Sequence, residues 1–224
     1  MHLIPRPATE PRLAPDHVTL TPREELGPAD VGDDDLVTDL HLSAIALPDH
    51  TSHYAELVSL RIDGGSLAGS RWYRTNWVDL ALRQADAANT AFHESTLKRV
   101  TWQECRLVGL TLSGCTLTDV AHRDCLLSMA NLRFANLNRV EFVGCDLRGA
   151  DFTSARLTEV RFIDCLLDEA NFTEARCDRV EINGGALAGL RGIDGLRGAS
   201  IQVSDVLELA GPMARALGLE LVTA

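Results

Sequence analysis

Carboxylates, histidines and thiols are the side chains of this 224-residue sequence that could carry chemistry, and their spacing limits each of them. Cys105, Cys125, Cys145 and Cys165 recur every twenty residues. If twenty residues make one turn of a repeating structure, neighbours in that column lie about 4.8 Å apart with parallel side chains, beyond the roughly 3.5–4.5 Å Cβ separation of a disulfide. A straight ladder is also the wrong shape for a tetrahedral metal site. These thiols read as small, reduced core residues, which points to the cytoplasm. His41, Asp49, His50 and His53 invite a metal reading, but their spacing matches no established ligand pattern, and a solvated corner fits better. Asp146, Asp168 and Glu169 could be imagined as the paired carboxylates of carbohydrate chemistry. Adjacent side chains diverge, however, and the pattern implies no cleft to hold a substrate. No cofactor motif is present, and the glycines of Leu190–Gly198 lack the strand and helix that frame a phosphate loop. What remains is a set of carboxylates at outward positions: Asp63, Glu104, Asp124, Glu141, Asp164 and Glu181. They are the candidate partner-binding acidic face.

The element that positions all of these is a five-residue unit. Ala130-Asn131-Leu132-Arg133-Phe134 is followed by Ala135-Asn136-Leu137-Asn138-Arg139, and the phase holds without insertion from Asp35 to Ala199, 33 pentads in all. Unit centres are mostly large and apolar, among them Trp72, Trp77, Phe92, Trp102, Leu132, Phe152 and Phe172. Positions two earlier are small or β-branched, as in Val120, Cys125, Ala130 and Ala135. A spacing of five fits neither a helix nor a strand, so repetition is weighed first. The columns Val100–Val120–Val140–Val160–Val180 and Cys105–Cys125–Cys145–Cys165 add a period of twenty, hence four pentads to a turn. No pentad buries its apolar residue alone; stacking makes the core. His122, a centre between Trp102 and Phe142, then reads as a neutral core histidine hydrogen-bonded to backbone or water.

The motif of a small residue, Asn or Asp, Leu or Phe and two polar residues resembles that of the pentapeptide-repeat family. Ala130-Asn131-Leu132, Ala135-Asn136-Leu137, Ala150-Asp151-Phe152 and Ala170-Asn171-Phe172 match it letter for letter. The resemblance covers about three quarters of the chain. It implies an all-β fold, a right-handed quadrilateral parallel β-helix of about eight coils, with a short α-helical C-terminal cap. It also implies a non-enzymatic protein-interaction scaffold without cofactor. Some members of the family resemble duplex DNA in width and charge, bind DNA gyrase or topoisomerase IV, and confer quinolone resistance or self-protection.

Charge tempers that last implication. The net charge is −11, which argues against direct nucleic-acid binding. Residues 1–54 carry 3 basic against 10 acidic residues, whereas residues 55–199 carry 17 against 19. Along the candidate face, Arg61, Arg83, Arg123 and Arg161 interrupt the carboxylates. No membrane span and no signal peptide are expected.

The ends read differently. Residues 1–34 hold six of the eight prolines and form an acidic leader, mobile or loosely packed, with one capping-box turn at Thr21–Glu24 that Gly27-Pro28 ends. Residues 35–199 form the coil, with a bulge or corner expected where Ser52 occupies a centre. Residues 200–224 form the cap: Ser204-Asp205 opens a helix, Gly211-Pro212 breaks it, and Gly218 stops the second half. Leu207, Leu209, Met213, Leu217 and Leu221 give this segment an apolar set that could cover the open coil or pair two copies.

Overall fold

A computed structural model describes residues 8–13 and 19–219. Long strands at Glu56–Ile62, Asn76–Arg83, Thr96–Gln103, Thr116–Arg123, Asn136–Val143 and Arg156–Leu166 stack in parallel, each residue over the one twenty earlier. Val120 pairs with both Val100 and Val140, as the column requires. A second, three-stranded sheet joins Thr51–His53, Arg71–Tyr73 and Ala91–His93. The remaining sides are held by single bridges such as Leu126 to Asp146 and Asn131 to Asp151. The result is a right-handed quadrilateral β-helix of about nine turns, one more than the pentad count suggests.

The pentad builds a square because of the residue two after each centre. In one coil the corners are Asp119, Asp124, Met129 and Phe134, with φ of 58°, 52°, 59° and 59°. A left-handed residue between extended neighbours swings the chain through each corner. Glycine takes the same position at Gly109 and Gly114. Ordinary side chains at the other corners cost about 1–2 kcal/mol each, which packing must offset. Centres and the residues two before them point inward. Leu117, Leu127 and Leu132, with Cys115, Val120 and Ala130, are at most 1% exposed.

Like side chains stack along the axis. His122, Phe142 and Phe162 lie at 4.7 and 5.2 Å between ring centres, nearly parallel, and Phe152 stacks on Phe172 at 4.8 Å. Across the bore the two stacks meet edge to face, as Phe152 does with Phe162 at 88°, the geometry that ring quadrupoles favour. Trp72 and Trp77 meet edge to face at 5.1 Å, and both are fully buried, as is tiny Ala87.

Several expectations are corrected. Ser52 makes no bulge: it lies inward, fully buried and in register with Trp72, and its hydroxyl donates to the Gly32 carbonyl at 2.9 Å. Thr21–Leu26, assigned to a loose leader with a helical turn, forms a strand parallel to Leu36–Ala46. Edge pairing overrides the local capping pattern there, and an edge strand tolerates Pro22. The coil loses its phase before Ala199. Register is twenty from Leu36 through Arg191, but Thr21 pairs with Leu40 and Glu181 with Ser200, so each end is one residue short. A 3-10 turn at Ile193–Leu196 removes the residue at the C-terminal end.

At the C-terminus a 3-10 stretch, Val203–Leu209, runs into the helix Ala210–Ala216. Gly211-Pro212 does not break the helix. Pro212 sits in its first turn, where an amide hydrogen has no partner to lose. Gly218 ends it with φ 70°. Asp205 does not cap its own helix; it accepts the Gly184 amide at 2.8 Å, and Glu208 accepts that of Leu187 at 2.6 Å. Two carboxylates thus satisfy main-chain donors that the last coil would leave open.

Candidate interaction surface

The corner between the two long-strand sides carries a column of alternating charge: Asp79, Arg99, Asp119, Arg139, Glu159 and Arg179. All are left-handed corner residues, one per coil. Arg99 donates to both oxygens of Asp79 at 2.5 and 2.6 Å. Arg139 does the same to Asp119 at 2.6 and 2.8 Å, and Arg179 reaches Glu159 at 2.9 Å. Burial alone would raise the Asp119 carboxyl, but the hydrogen bonds from Arg139 and from the Arg12 amide hold it below its ordinary value. The bonds that Arg139 donates to Asp119 in turn raise its own pKa.

One side over, Arg161 lies between Glu141, at 2.8 Å, and Glu181, at 3.6 Å, and Arg123 reaches Glu141 at 3.4 Å. Residues 8–13 lie across both columns. The Ala8 amide donates to Glu181 at 2.8 Å and the Thr9 hydroxyl to Glu159 at 2.5 Å. Arg161 donates to Glu10 at 3.1 Å, and the Arg12 amide to Asp119 at 3.1 Å.

The six carboxylates named from the sequence fall in three columns rather than one row. Asp63 is paired with His41 at 2.6 Å. Glu104, Asp124 and Asp164 are exposed corner residues of another edge, and Glu104 accepts from Gln84 at 2.8 Å. Glu141 and Glu181 are the ones drawn into the Arg161 cluster. The alternating column was readable, since its sign changes every twenty residues at one pentad position. Thr9, Glu10 and Arg12 carry no periodic signal and could not have been found that way.

Other candidates resolve simply. His53 sits on Asp33 at 3.1 Å and stacks on Tyr73, which stacks on His93, at 4.8 and 4.7 Å. Among the described residues no three His, Cys, Asp or Glu side chains gather as a metal site. Asp146 is held by Arg148 at 2.6 Å. Asp168 and Glu169 line an open surface depression with Met129 and Arg148, and Asp146 is not part of its lining. His122 is fully buried, packed in the aromatic stack with the Glu141 backbone as a polar neighbour. Burial pushes its pKa down to about 3. Of the C-terminal apolar set, Leu209 is buried, whereas Leu207, Met213 and Leu217 are 83%, 46% and 73% exposed. Leu221 lies outside the described residues. No helix among the described residues is long and apolar enough to cross a membrane.

A four-sided coil of five-residue units, filled inside and patterned by columns outside, defines the class: a pentapeptide-repeat solenoid. Residues 115–191 match the family model described as pentapeptide repeat region. No curated protein matches it. Among solved structures it is similar to HetL, a pentapeptide repeat protein involved in heterocyst differentiation regulation from the cyanobacterium Nostoc sp. strain PCC 7120. Identity is 18% and the TM-score 0.37, covering 75% of this chain and 89% of that one. It is similar as well to QnrB1, a plasmid-mediated fluoroquinolone resistance protein, at 13% identity and a TM-score of 0.27 over 90% and 99%. A pentapeptide repeat protein of the Arabidopsis thaliana thylakoid lumen gives 20% and 0.31 over 50% and 65%. At such scores the fold rests on the strand register described above.

Proposed function

We propose that this protein is a non-catalytic scaffold that docks a protein partner on its outer faces. One observation carries the reading: inward centres along the coil, from Leu42 to Phe172, are at most 1% exposed, so the filled bore leaves only the outer walls to meet another molecule. The walls are regular and largely charge-compensated, which suits a protein partner better than a phosphate backbone. Free thiols along the core support a cytoplasmic location. Affinity capture from native cytoplasm, with single-face variants such as Glu104→Arg with Asp124→Arg, tests this. A partner lost on altering one face supports the reading. Turnover of a substrate with no partner captured removes it.

The second reading is a DNA-mimicking binder of DNA gyrase or topoisomerase IV. It is favoured by one feature, the exposed corner column of Glu104, Asp124 and Asp164. The ion pairs of Arg99, Arg139, Arg161 and Arg179 weigh against it, because a row imitating phosphates needs uncompensated charge. Unchanged gyrase supercoiling at stoichiometric excess of the protein would rule it out.

For the exposed Leu207, Met213 and Leu217 we assign a second copy of the chain as partner. Light scattering of Leu207→Glu with Leu217→Glu checks this. A wild type that is already monomeric at tens of micromolar refutes it.

A further inference from the structure

Residues 8–13 are set on the coil in a way that has the character of a bound peptide. Their contacts climb the axis: Ala8 meets Glu181, Thr9 meets Glu159, Arg161 meets Glu10, and Arg12 meets Asp119. From the level of Glu181 to that of Asp119 is three rungs, about 14 Å at the usual strand spacing. Four residues of fully extended chain reach about 13–14 Å. The segment therefore runs straight, across the strands rather than along them. Pro11 helps, since the residue before a proline is confined to extended conformations. The bonds pair main-chain amides and a hydroxyl of the segment with carboxylates of the coil, and a single guanidinium of the coil with a single carboxylate of the segment.

We propose that Asp119, Glu159, Arg161 and Glu181 form a docking track for an extended peptide, and that residues 8–13 are its resident ligand. A partner's segment of the same chemistry enters by displacing them. That chemistry is two amide donors four residues apart, with a hydroxyl and a carboxylate between. This deepens the scaffold reading and rests on it, by naming one wall and the form of the partner. The three other walls are untouched by it. The resident segment competes as a tethered ligand at an effective concentration on the order of millimolar, so an untethered peptide binds only when the tether's hold is weakened.

The test uses the full chain and a fluorescent peptide of residues 8–13. Glu10 is 79% exposed, so Glu10→Arg loosens the segment without touching the core. Trypsin cleavage after Arg12 reports its release. The expected result is faster cleavage in Glu10→Arg and at least tenfold tighter peptide binding than to the wild type. A peptide carrying Glu10→Lys should lose that gain. Two outcomes overturn the track: cleavage accelerates but the peptide does not bind, or the native and charge-reversed peptides bind equally. Either would leave partner capture through another wall unaffected, so the failure of the track is distinguishable from failure of the scaffold reading. Full protection of Arg12 in both proteins, with no peptide bound to either, also overturns it, because the segment would then be a fixed part of the coil.

Discussion

Arg139 lies one coil above Asp119 and grips both of its carboxylate oxygens, at 2.6 and 2.8 Å, with the acid almost wholly buried. Removing the arginine strands that carboxylate. Arg139→Ala should destabilise the protein by about 3 kcal/mol, and the double change with Asp119→Ala by less than the sum of the single changes. Arg74, exposed beside Glu94, should leave stability essentially unchanged when replaced by alanine. Urea unfolding of the four variants checks both. The held-down Asp119 carboxyl also ties stability to acid. Its contribution is complete above the unfolded-state value and is lost as pH falls through the folded one.

His122 works in the same direction at higher pH. Unfolded, the ring takes a proton near pH 6.5, whereas folded it resists until about pH 3. Stability is therefore full above 6.5 and declines as pH falls between those values. His122→Phe continues the Phe142–Phe162 stack and should flatten that decline, gaining about 2 kcal/mol at pH 5 by removing the proton that unfolding would take up. Thermal melts of the pair from pH 8 to 4 decide it; parallel curves would refute the account.

Corners give a test of backbone strain. Gly114 has φ 71° and open space where a Cβ would go, so Gly114→Ala meets strain alone and should cost about 1 kcal/mol. At Gly185 a Cβ would stand 1.9 Å from the Cys165 carbonyl oxygen, so Gly185→Ala must shift the last coils and cost several times more. Met129→Gly, at an exposed corner with φ 59°, should stabilise by about 1 kcal/mol. Denaturant midpoints rank the three.

Thiol chemistry should be silent in the native state. Cys105, Cys115, Cys125, Cys145 and Cys165 are buried and Cys177 is half-buried; burial pushes Cys115 and Cys177 up to about 11. A thiol-reactive dye at pH 8 should label at most about one equivalent within minutes and all six after denaturation. Rapid native labelling of the Cys105–Cys165 column would contradict the buried stack.

Most of the coil could be read in advance because one position per pentad must be large and inward, so Leu132, Phe152 and Phe172 announce the period themselves. Ser52 misled because a hydroxyl at a centre looks like a defect until a carbonyl, that of Gly32, is within reach. Thr21–Leu26 misled because a strand made by edge pairing needs no pattern of its own. The candidate face was legible as a list of acids but not as a surface. Pairing across coils depends on the neighbour twenty residues away, so Glu141 and Glu181 cannot be judged free or compensated until Arg161 is placed between them.

The one-residue shortfall at Thr21–Leu40 and at Glu181–Ser200 bears on how molecules of this protein meet. A rod of stacked β-coils has the makings of a fibre, because each tip offers the next molecule a template. Here both tips are out of step with the shaft, so an incoming copy would set its bulky side chains where small ones belong. End-to-end growth is thereby disfavoured, while pairing of two copies side by side is left open.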